Sequence, residues 1–353
     1  MPSKGCVRLP GLADVHVHLR VPGGEHKEDF FTGTAAALAG GFTTVLAMPN
    51  TTPPLTTEKT FRSVQQQAQA VALCDVHFYA GASPEHLDEL PSLAQEAIGL
   101  KIYADQTYGP LRVEGLPTLL RCFQKWPRGK PIAMHAEGRT MAVGLGLAAA
   151  FGQHVHFCHV SRADEITLIA AAKARGLPVT CEVTPHHLFL TESDAARLGP
   201  FGDMRPRLAT QADVEALWAH LDTTIDCIAT DHAPHTRAEK LGPDAPPGVP
   251  GLETALPLML TAVAEGRLTL ERLVALMAHN PRRIFALPEQ PETWIEVALD
   301  AAYTLSDEGL HTKCGWSPFS GMTIRGKVER VQLRGALVFQ DGVILHSLER
   351  TRY

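Results

Sequence analysis

Asp14-Val15-His16-Val17-His18-Leu19-Arg20 is the stretch that decides the fold of this chain. Its β-branched residues favour a strand, and side chains two positions apart in a strand point to the same face. His16 and His18 therefore share one face, about 7 Å apart along the strand. Two neutral imidazoles at this spacing are typical ligands of a divalent cation, whereas the alternative is a pair of ordinary half-buried histidines. The residues further along the chain decide between these interpretations.

Length and composition indicate a soluble globular protein with one large domain or two ordinary ones. Of the 353 residues, 45% are hydrophobic and 20% are charged, and the formal net charge of −6 argues against nucleic acid or an anionic membrane as partner. No apolar run approaches the ~20 residues of a membrane-spanning helix, and the N-terminal residues lack the apolar core of a signal peptide. Seven cysteines without a Cys-x-x-Cys pair indicate reduced thiols in a cytoplasmic protein.

Eight short apolar runs rich in β-branched residues alternate with helical patterns along the chain. We predict strands at 14–18, 43–50, 75–82, 99–104, 131–137, 154–161, 178–184 and 225–231. We predict helices at 32–40, 58–72, 85–97, 114–125, 139–151, 162–175, 211–221, 253–264 and 269–278. Eight strand–helix units over about 250 residues predict an α/β fold, a (β/α)8 TIM barrel. A doubly wound open sheet is the alternative, although no Gly-x-Gly-x-x-Gly follows the first strand.

Polar residues stand in or at the ends of these strands, where a packed barrel core would carry Val, Ile or Leu. They are His16, His18, Asn50, Lys101, His135, His159, Glu182 and Asp231. Active sites of such barrels lie at the C-terminal mouth, where the strands converge. We therefore expect these side chains to meet in one site.

The charge balance of this set predicts two metal ions. Four histidines and one aspartate exceed what one zinc needs, since a catalytic zinc usually takes three protein ligands and a water. Two ions ~3.5–4 Å apart would use them all and need a bridging anion. Lys101 is out of place as a cation beside two cations, but a carbamate formed from its amine and CO₂ would be an anionic, bridging oxygen ligand.

Several segments resemble dihydroorotase, a member of the amidohydrolase superfamily. They are the 14–20 stretch, Ala-Met-Pro-Asn-Thr at 47–51, Gly-Leu-Lys-Ile-Tyr at 99–103, Met-His-Ala-Glu at 134–137 and Thr-Asp-His-Ala-Pro-His at 230–235. Cys-His-Val at 158–160, Pro-His-His-Leu-Phe-Leu at 185–190 and His-Asn-Pro-Arg-Arg-Ile-Phe at 279–285 resemble the dihydroorotase domain of the animal multifunctional pyrimidine-synthesis protein CAD. The resemblance covers essentially residues 7–345.

The resemblance implies roles for individual residues. His16 and His18 with Asp231 would hold one zinc, and His135 and His159 the other, with carboxylated Lys101 and a hydroxide between them. Substrate contacts would come from Arg20, Asn50, Arg205, His235, Pro247 and Gly248. The segment 104–112 would be a mobile lid, with Thr107 and Tyr108 closing over the substrate, and an ordinary loop is the alternative.

The reaction implied is the reversible, zinc-dependent cyclisation of N-carbamoyl-L-aspartate to L-dihydroorotate in pyrimidine synthesis. In the hydrolytic direction the metal-bridging hydroxide would attack the ring amide. Asp231 would act as general acid and base, taking the nucleophile's proton and delivering it to the leaving nitrogen.

Cys158 and Glu182 leave two interpretations open. With His16 they would hold a third zinc, or Cys158 is a buried thiol and Glu182 orients a histidine. Strand alternation predicts that the sulfur of Cys158 points away from the face of His159. A second His-x-His, His154 and His156, lies early in strand six, and we expect it away from the site.

The chain also departs from the family's pattern. Val21 stands where a glutamate is usual, which puts the orientation of Arg20 in doubt. About ten residues precede the barrel, so we expect a small accessory β-subdomain from 1–10 and 291–353 beside a barrel at 11–290. A short N-terminal part is expected of a domain within a longer, multifunctional polypeptide, and the resemblance also implies a homodimer.

Two rival functions remain. Hydantoinase, dihydropyrimidinase and allantoinase share the metal site but do not need a partner for a substrate carboxylate, which Arg20 with Asn50 and His235 would supply. A non-catalytic structural homologue of dihydroorotase would be expected to have lost metal ligands, whereas all six positions are filled here.

Overall fold

The computed structural model describes residues 5–109 and 111–345 and contains all eight predicted strand runs. The strands are β1 (Cys6–Pro10), β2 (Leu12–Val17), β3 (Phe42–Ala47), β4 (Asp75–Phe78), β5 (Ala80–Gly81), β6 (Leu100–Tyr103), β7 (Ile132–His135), β8 (Val155–Phe157), β9 (Val179–Val183), β10 (Cys227–Ile228), β11 (Trp294–Thr304), β12 (Thr323–Leu333), β13 (Ala336–Gln340) and β14 (Val343–Ile344). The predicted third run, 75–82, is divided into β4 and β5 at Tyr79.

The helices are α1 (Phe30–Ala39), α2 (Glu58–Val71), α3 (Leu90–Glu96), α4 (Leu116–Lys125), α5 (Arg139–Phe151), α6 (Ala163–Ala174), α7 (Pro185–Phe189), α8 (Glu192–Leu198), α9 (Gln211–Ala219), α10 (Arg237–Lys240), α11 (Leu252–Ala264), α12 (Leu270–Val274) and α13 (Asn280–Ile284). The predicted helix 85–97 is partly wrong, because Pro84–Glu89 forms a 3₁₀ helix. The predicted helix 269–278 ends in a π turn at Ala275–His279. Helices α7, α8, α10 and α13 were not predicted, since four to seven residues carry too little periodicity.

The strands at the centre of the molecule are parallel and follow one another in chain order. Strands β5 to β10 form a six-stranded sheet, and β2, β3 and β4 form a three-stranded one. The two sheets meet at Tyr79, whose N–H donates to the carbonyl of Ala47 at 3.1 Å. At the opposite edges Val17 forms a parallel bridge with His232. Parallel strands joined by helices confirm the α/β class.

A separate antiparallel sheet flanks these strands, in the order β1-β11-β12-β13-β14. The N-terminal β1 lies beside β11, with Cys6 opposite Ala298, so the first described residues complete a sheet built mainly from the C-terminal segment. The accessory sheet expected from 291–353 is therefore present as far as residue 344. Residues 1–4 and 346–353 of the expected subdomain lie outside the described residues, and the boundary at 290 stays a prediction.

The strands are shorter than predicted, and this moves the polar residues into the turns that follow. Strand β3 ends at Ala47, three residues before Asn50, and β8 ends at Phe157, two residues before His159. Strand β10 has only two residues, and Asp231 follows it by three. The site is therefore built on turns whose positions are fixed by buried strands, as is usual for binding residues.

No helix within residues 5–109 and 111–345 is both long and apolar enough to cross a bilayer.

Glu253, in the first turn of α11, connects this helix to the loop before β12. Its half-buried carboxylate accepts hydrogen bonds from the N–H groups of His311 at 2.8 Å and Thr312 at 3.0 Å. Burial raises the pKa of Glu253 from its ordinary value near 4.5 to about 7, against the effect of these two hydrogen bonds.

This pKa gives Glu253 a defined effect on stability. The folded state holds the proton more tightly than the unfolded state, so the contribution of Glu253 is present below pH 4.5 and is lost as pH rises towards 7. We expect the free energy of unfolding of the wild type, relative to Glu253→Gln, to fall by up to about 3 kcal/mol between pH 5 and pH 8. Urea unfolding of both proteins across this range measures it, and a constant difference between them would refute the expectation.

Candidate active site

His16, His18 and Asp231 come together where β2 and the turn after β10 meet. The Oδ1 atom of Asp231 lies 3.3 Å from Nε2 of His16 and 3.1 Å from Nε2 of His18. The Nδ1 atom of His16 lies 2.5 Å from a carboxylate oxygen of Glu182, and Nδ1 of His18 lies 2.8 Å from Oδ1 of Asn50. Because both partners accept hydrogen bonds, both Nδ1 atoms carry hydrogens, and the Nε2 atoms of the two rings face Asp231.

His135 and His159 form a second group of ligand atoms. Nδ1 of His135 and Nε2 of His159 are 2.8 Å apart, and both side chains are buried. The other nitrogen of His135 lies 3.2 Å from Glu137, whereas Nδ1 of His159 is buried without a hydrogen-bond partner among the described residues. An unpartnered buried nitrogen is rare in a folded protein, and it leaves a lone pair available.

Lys101 lies in β6 and is fully buried. The hydrogen bond that the structure gives its Nζ atom goes to the sulfur of Cys158, at 2.9 Å. A thiol is a weak partner for a buried ammonium, which normally pairs with a carboxylate. Lys101 is therefore a buried amine whose described hydrogen bond goes to a thiol and not to a carboxylate.

Glu182 is the centre of the buried contacts beneath the ligands. Its carboxylate accepts from the N–H of His159 at 3.1 Å and contacts Nε2 of His156 at 3.0 Å, in addition to His16. The expectation that His156 lies away from the site is therefore wrong, because β9 brings Glu182 directly beside it. Glu182 thus fixes one imidazole and the backbone of a second, as carboxylates behind metal ligands do.

The expectation that the sulfur of Cys158 points away from the site is also wrong. A nitrogen of His16, the sulfur of Cys158 and an oxygen of Glu182 all lie within 4.8 Å of one another. Strand alternation does not apply here, because β8 has ended at Phe157 and His159 has a φ of +34°. Both consecutive side chains therefore face the interior.

Backbone strain is concentrated at the same place. The φ values of Arg20, His159 and Asp231 are 62°, 34° and 45°. They lie in the left-handed region of backbone conformation, which residues other than glycine rarely adopt. Such a conformation costs of the order of 1–3 kcal/mol and persists where surrounding contacts impose it. It turns each side chain inward directly after a strand.

The protonation states of the buried histidines and of Asp231 suit the binding of a cation. Burial lowers the pKa of His18 to about 4, despite the neighbouring Asp231, and burial also lowers the pKa values of His135 and His159, so these imidazoles are neutral. Burial alone would raise the pKa of Asp231, but the histidines around it outweigh burial and hold it well below its usual value. Burial and Lys101 act to lower the pKa of His16, yet Asp231 and Glu182 raise it to about 10.

Lone pairs of neutral imidazoles and an ionised carboxylate that converge in a buried place repel one another unless a positive charge lies between them. The raised pKa of His16 shows that this place attracts positive charge. His16, His18 and Asp231 therefore form a group that fits a divalent metal ion, and the unpartnered nitrogen of His159 is a further free donor atom nearby.

Arg20 and His235 lie side by side next to these ligands. Nη2 of Arg20 is 3.0 Å from Nε2 of His235, and Nε of Arg20 donates to the carbonyl of Pro234 at 3.1 Å. The carbonyl of Pro247 lies 3.1 Å from Nε2 of His235, and the N–H of Gly248 donates to Asp203 at 2.9 Å. Arg20, His235 and the loop at 247–248 therefore lie together, and their contacts with a substrate stay a prediction.

Val21, where the family's pattern led us to expect a glutamate, is buried in the core. Arg20 is instead held by its hydrogen bond to the carbonyl of Pro234.

Asn50 joins the metal ligands to the 104–112 segment. Its Oδ1 faces His18, and its Nδ2 donates to the carbonyl of Tyr108 at 3.0 Å. The ring of Tyr108 stands edge-on to His235, with 4.9 Å between ring centroids, and is 40% exposed. The predicted lid residue Tyr108 thus lies over the site, whereas no described contact places Thr107 there.

Arg205 is held by its own segment. Its Nη1 atom donates to Oδ1 of Asp203 at 2.5 Å and to the carbonyl of Met204 at 2.8 Å. No described contact joins it to Arg20 or His235, so its assignment to the substrate stays a prediction.

Sequence reasoning missed several buried polar residues around the site: Asp14, Lys27, Tyr103, His232 and Lys240. Asp14 accepts from the N–H groups of His16 at 3.0 Å and Thr230 at 3.2 Å, which ties β2 to the turn of Asp231. Tyr103 shares the strand face of Lys101, two positions on, and its hydroxyl is buried without a partner among the described residues. Asp14 likewise lies two positions before His16 in one strand, so this spacing was an available signal for both residues, whereas Lys27, His232 and Lys240 carried none.

A model described as the amidohydrolase family matches residues 7–293, and this chain belongs to that family. The chain is 51% identical over 346 residues to the multifunctional protein CAD of Squalus acanthias, covering 98% of this chain and 15% of that protein. It is 36% identical over 372 residues to the dihydroorotase of Methanosarcina mazei, covering 91% of this chain and 81% of that protein. Within the family its sequence relatives are thus dihydroorotases. The chain spans about a sixth or less of the multifunctional relatives that it matches.

Solved structures show the same fold. The L-hydantoinase of Arthrobacter aurescens superposes with a TM-score of 0.92 at 28% identity, covering 97% of this chain and 87% of that one. An inactive dihydroorotase-like domain of the CAD-like multifunctional protein of Chaetomium thermophilum superposes with a TM-score of 0.82 at 30% identity, covering 96% of both chains. The first of these neighbours is thus named as a hydantoinase, and the second is described as inactive.

Replacing Glu182 by glutamine tests its position behind the ligands. The change removes the charge that orients His16 while keeping the size of the side chain, and we expect the affinity for zinc to fall about 10–100-fold. Competition with a chromophoric chelator measures this affinity. Glu165→Gln is the matched control, because Glu165 is also buried but accepts only from the N–H groups of Gly138 and Ser161. Equal zinc affinities in Glu182→Gln and the control would contradict this role.

Proposed function

We propose that this chain is a dihydroorotase that interconverts N-carbamoyl-L-aspartate and L-dihydroorotate in pyrimidine biosynthesis. The observation that carries the proposal is the pair Arg20 and His235, two buried nitrogen donors 3.0 Å apart beside the proposed metal ligands. Dihydroorotate has a ring amide to be cleaved and a carboxylate to be bound, and the site offers both functions. The dihydroorotase relatives support the same conclusion.

We propose further that the parallel strands close into a (β/α)8 barrel. The bridge between Val17 and His232 and the continuity through Tyr79 would join the two parallel sheets at both of their edges. Eight strand runs in chain order around such a ring would direct all their C-terminal ends to one mouth. We propose that residues 11–290 form this barrel and that the antiparallel sheet forms the accessory subdomain.

The proposed ligands are His16, His18 and Asp231 for one zinc, and His135 and His159 for the other, with Lys101 between them. Lys101 would bridge as a carbamate, formed when its amine attacks CO₂ and releases one proton. Bound zinc ions would activate water and polarise the amide carbonyl. The burial of Lys101 beside a thiol rather than a carboxylate supports the modification.

Asp231 is the proposed general acid and base. Its carboxylate is ionised, and Oδ1 lies within 3.3 Å of both His16 and His18, so it can accept the proton of an attacking water. It then delivers that proton to the ring nitrogen that leaves. In the synthetic direction the same steps run in reverse: Asp231 takes the proton of the attacking nitrogen and delivers it to the departing oxygen, and one proton from solvent completes the water that leaves. Cyclisation converts a dianion into a monoanion and takes up one proton, so acid pH favours synthesis and alkaline pH favours hydrolysis.

The substrate carboxylate would lie against Arg20 and His235, and Asn50 would contact the ring. Tyr108 would cover this corner and exclude water from the charged groups, which strengthens their interactions. The lid role of Thr107, and the contacts of Arg205, Pro247 and Gly248 with substrate, are part of the proposal.

His16, Cys158 and Glu182 are the ligands proposed for a third zinc, because one atom of each lies within 4.8 Å of the others. The same contacts also suit a simpler arrangement, in which Glu182 orients His16 and the thiol lies beside Lys101. The zinc content of Cys158→Ser separates them: loss of one ion per chain identifies a third zinc, and an unchanged content identifies the simpler arrangement.

Residues of this chain argue against the two rival functions, a hydantoinase-like enzyme and a non-catalytic homologue. Hydantoinase-like enzymes act on cyclic amides without the carboxylate of dihydroorotate, and Arg20 and His235 would then face each other without an anion. A non-catalytic homologue, as the Chaetomium domain is described, would not be expected to keep all six proposed ligands and their buried supporting contacts.

We also propose a reducing, cytoplasmic setting, since none of the seven cysteines forms a disulfide in the structure. A homodimer is proposed from the family resemblance alone, and light scattering of the purified chain would measure it. The high identity to multifunctional relatives supports a place within such an assembly.

Lys101→Ala tests the metal centre. We expect two or more zinc ions per wild-type chain and hydrolysis of L-dihydroorotate, and we expect the variant to lose at least 10³-fold in activity because it loses the bridging ligand. Elemental analysis and an ultraviolet assay of ring opening measure both quantities. Lys125→Ala, which removes an exposed pair with Asp88, is the control. Full zinc content without turnover of dihydroorotate would move the substrate to another cyclic amide, and absence of zinc and activity would favour the non-catalytic homologue.

Arg20→Met tests the substrate class. A charge-assisted pair between a buried arginine and a carboxylate contributes about 2–4 kcal/mol, so we expect kcat/KM for dihydroorotate to fall roughly 30–1,000-fold. Dihydrouracil has the same ring without the carboxylate, and its low rate should change little. Steady-state kinetics with both compounds measures the contrast. An equal loss for the two substrates would show that Arg20 supports the structure rather than binding the carboxylate.

A further inference from the structure

Lys27 is a buried lysine that the mechanism above does not use. It lies in the turn between β2 and α1 and is 5% exposed. Its Nζ atom lies 3.2 Å from Nδ1 of His235, 2.9 Å from the hydroxyl of Tyr108 and 2.9 Å from a carboxylate oxygen of Glu239. One ammonium group thus joins three segments that are far apart in the sequence, and Glu239 balances its charge.

The contacts of His235 determine which of its nitrogens carries the hydrogen. An ammonium only donates hydrogen bonds, so Nδ1 of His235 must accept from Lys27. Nε2 then carries the hydrogen and donates to the carbonyl of Pro247, 3.1 Å away. The opposite tautomer would direct an N–H at the ammonium and a lone pair at the carbonyl, and it would gain only the contact with Arg20. The Nε2–H form satisfies two neighbours and the Nδ1–H form satisfies one.

The Nε2–H tautomer turns the corner of the site into an anion site. The N–H groups of Arg20 and His235 then lie side by side, with 3.0 Å between the two nitrogens, and neither can accept from the other. A carboxylate oxygen placed beside both nitrogens would accept from Arg20 and share the single Nε2 hydrogen of His235 with the carbonyl of Pro247. The backbone around them is held independently, because Trp316 donates from its indole to the carbonyl of His235 at 2.7 Å and Arg20 donates to Pro234.

We propose that Lys27 is a positioning residue that keeps His235 as an Nε2–H donor and so creates the carboxylate site together with Arg20. This inference rests on the proposed function, whose substrate class it deepens: the ligand must carry a carboxylate at this corner. A second contact gives Lys27 a further effect. Its hydrogen bond to the hydroxyl of Tyr108 ties the 104–112 segment above the same donors, and the ammonium lies 4.7 Å from the centre of that ring.

Three variants separate these effects. Lys27→Met keeps the apolar stem and removes both hydrogen bonds, Tyr108→Phe removes only the bond to the lid, and Lys27→Gln keeps an uncharged donor for His235. We expect Lys27→Met to raise KM for dihydroorotate about tenfold or more with a smaller change in kcat, because binding of the carboxylate is weakened. Lys27→Gln should recover part of that loss, and Tyr108→Phe should change KM less than Lys27→Met. Zinc content should stay the same in all three.

The tautomer itself is measured without any activity. In chain labelled with ¹⁵N-histidine, the ring signals of His235, assigned by their loss in His235→Gln, report which nitrogen carries the hydrogen. We expect the Nε2–H form in the wild type and in Tyr108→Phe, and a mixture of tautomers in Lys27→Met. An Nδ1–H form in the wild type, or a spectrum unchanged by Lys27→Met, would overturn the proposal.

The kinetic experiment and the spectroscopic experiment test different parts of the proposal, so each can contradict it independently. A KM unchanged in Lys27→Met, or an equal rise in Tyr108→Phe, would overturn the role in carboxylate binding even if the tautomer is as expected. If the wild type does not turn over dihydroorotate while the tautomer depends on Lys27, the proposed function is wrong and the assignment of Lys27 to His235 is supported.

Discussion

The contact between the end of β2 and the turn after β10 is the constraint on which the site depends. The N–H of His18 donates to the carbonyl of His232 at 2.8 Å, and Asp14 accepts from Thr230 on the other side of the same contact. These bonds bring residues more than 200 positions apart into register. His16, His18 and Arg20 on one segment then face Asp231 and His235 on the other. The remaining strands add their ligands to a position that this contact has already defined.

Burial explains why the polar groups behave as a unit. A charged or polar group that is removed from water costs several kcal/mol unless a partner satisfies it, and three of the proposed ligands have a second residue behind them. Glu182 supports His16, Asn50 supports His18, and Glu137 contacts His135. The supporting contacts decide which nitrogen of each imidazole faces the site. Removal of one of them therefore changes the chemistry of a ligand that it leaves in place.

The strands, the parallel arrangement and the grouping of His16, His18 and Asp231 could be predicted because they leave periodic or compositional signals. The spacing of His16 and His18 is such a signal, and so is a lysine within an apolar strand. Lys27 and His232 leave none, since their roles exist only through contacts with distant segments. His232 illustrates this, as it lies 3.2 Å from the buried Glu28 and accepts from Gly251, which no spacing in the sequence relates. Cys158 was misplaced for a different reason: alternation holds only within a strand, and β8 is shorter than its apolar run.

The proposed carboxylate site at Arg20 and His235 and the proposed metal ligands are not independent of each other. Asn50 contacts His18 with its oxygen and the backbone of Tyr108 with its nitrogen, so one amide connects a proposed metal ligand to the segment that covers the substrate. Tyr108 contacts His235 and Lys27, and His235 contacts Arg20. A displacement of the 104–112 segment would withdraw the acceptor of Asn50 and the hydroxyl of Tyr108 together. The orientation of His18 and the donors for the carboxylate would then change in the same step, which couples closure over the substrate to the geometry of the groups that perform the chemistry.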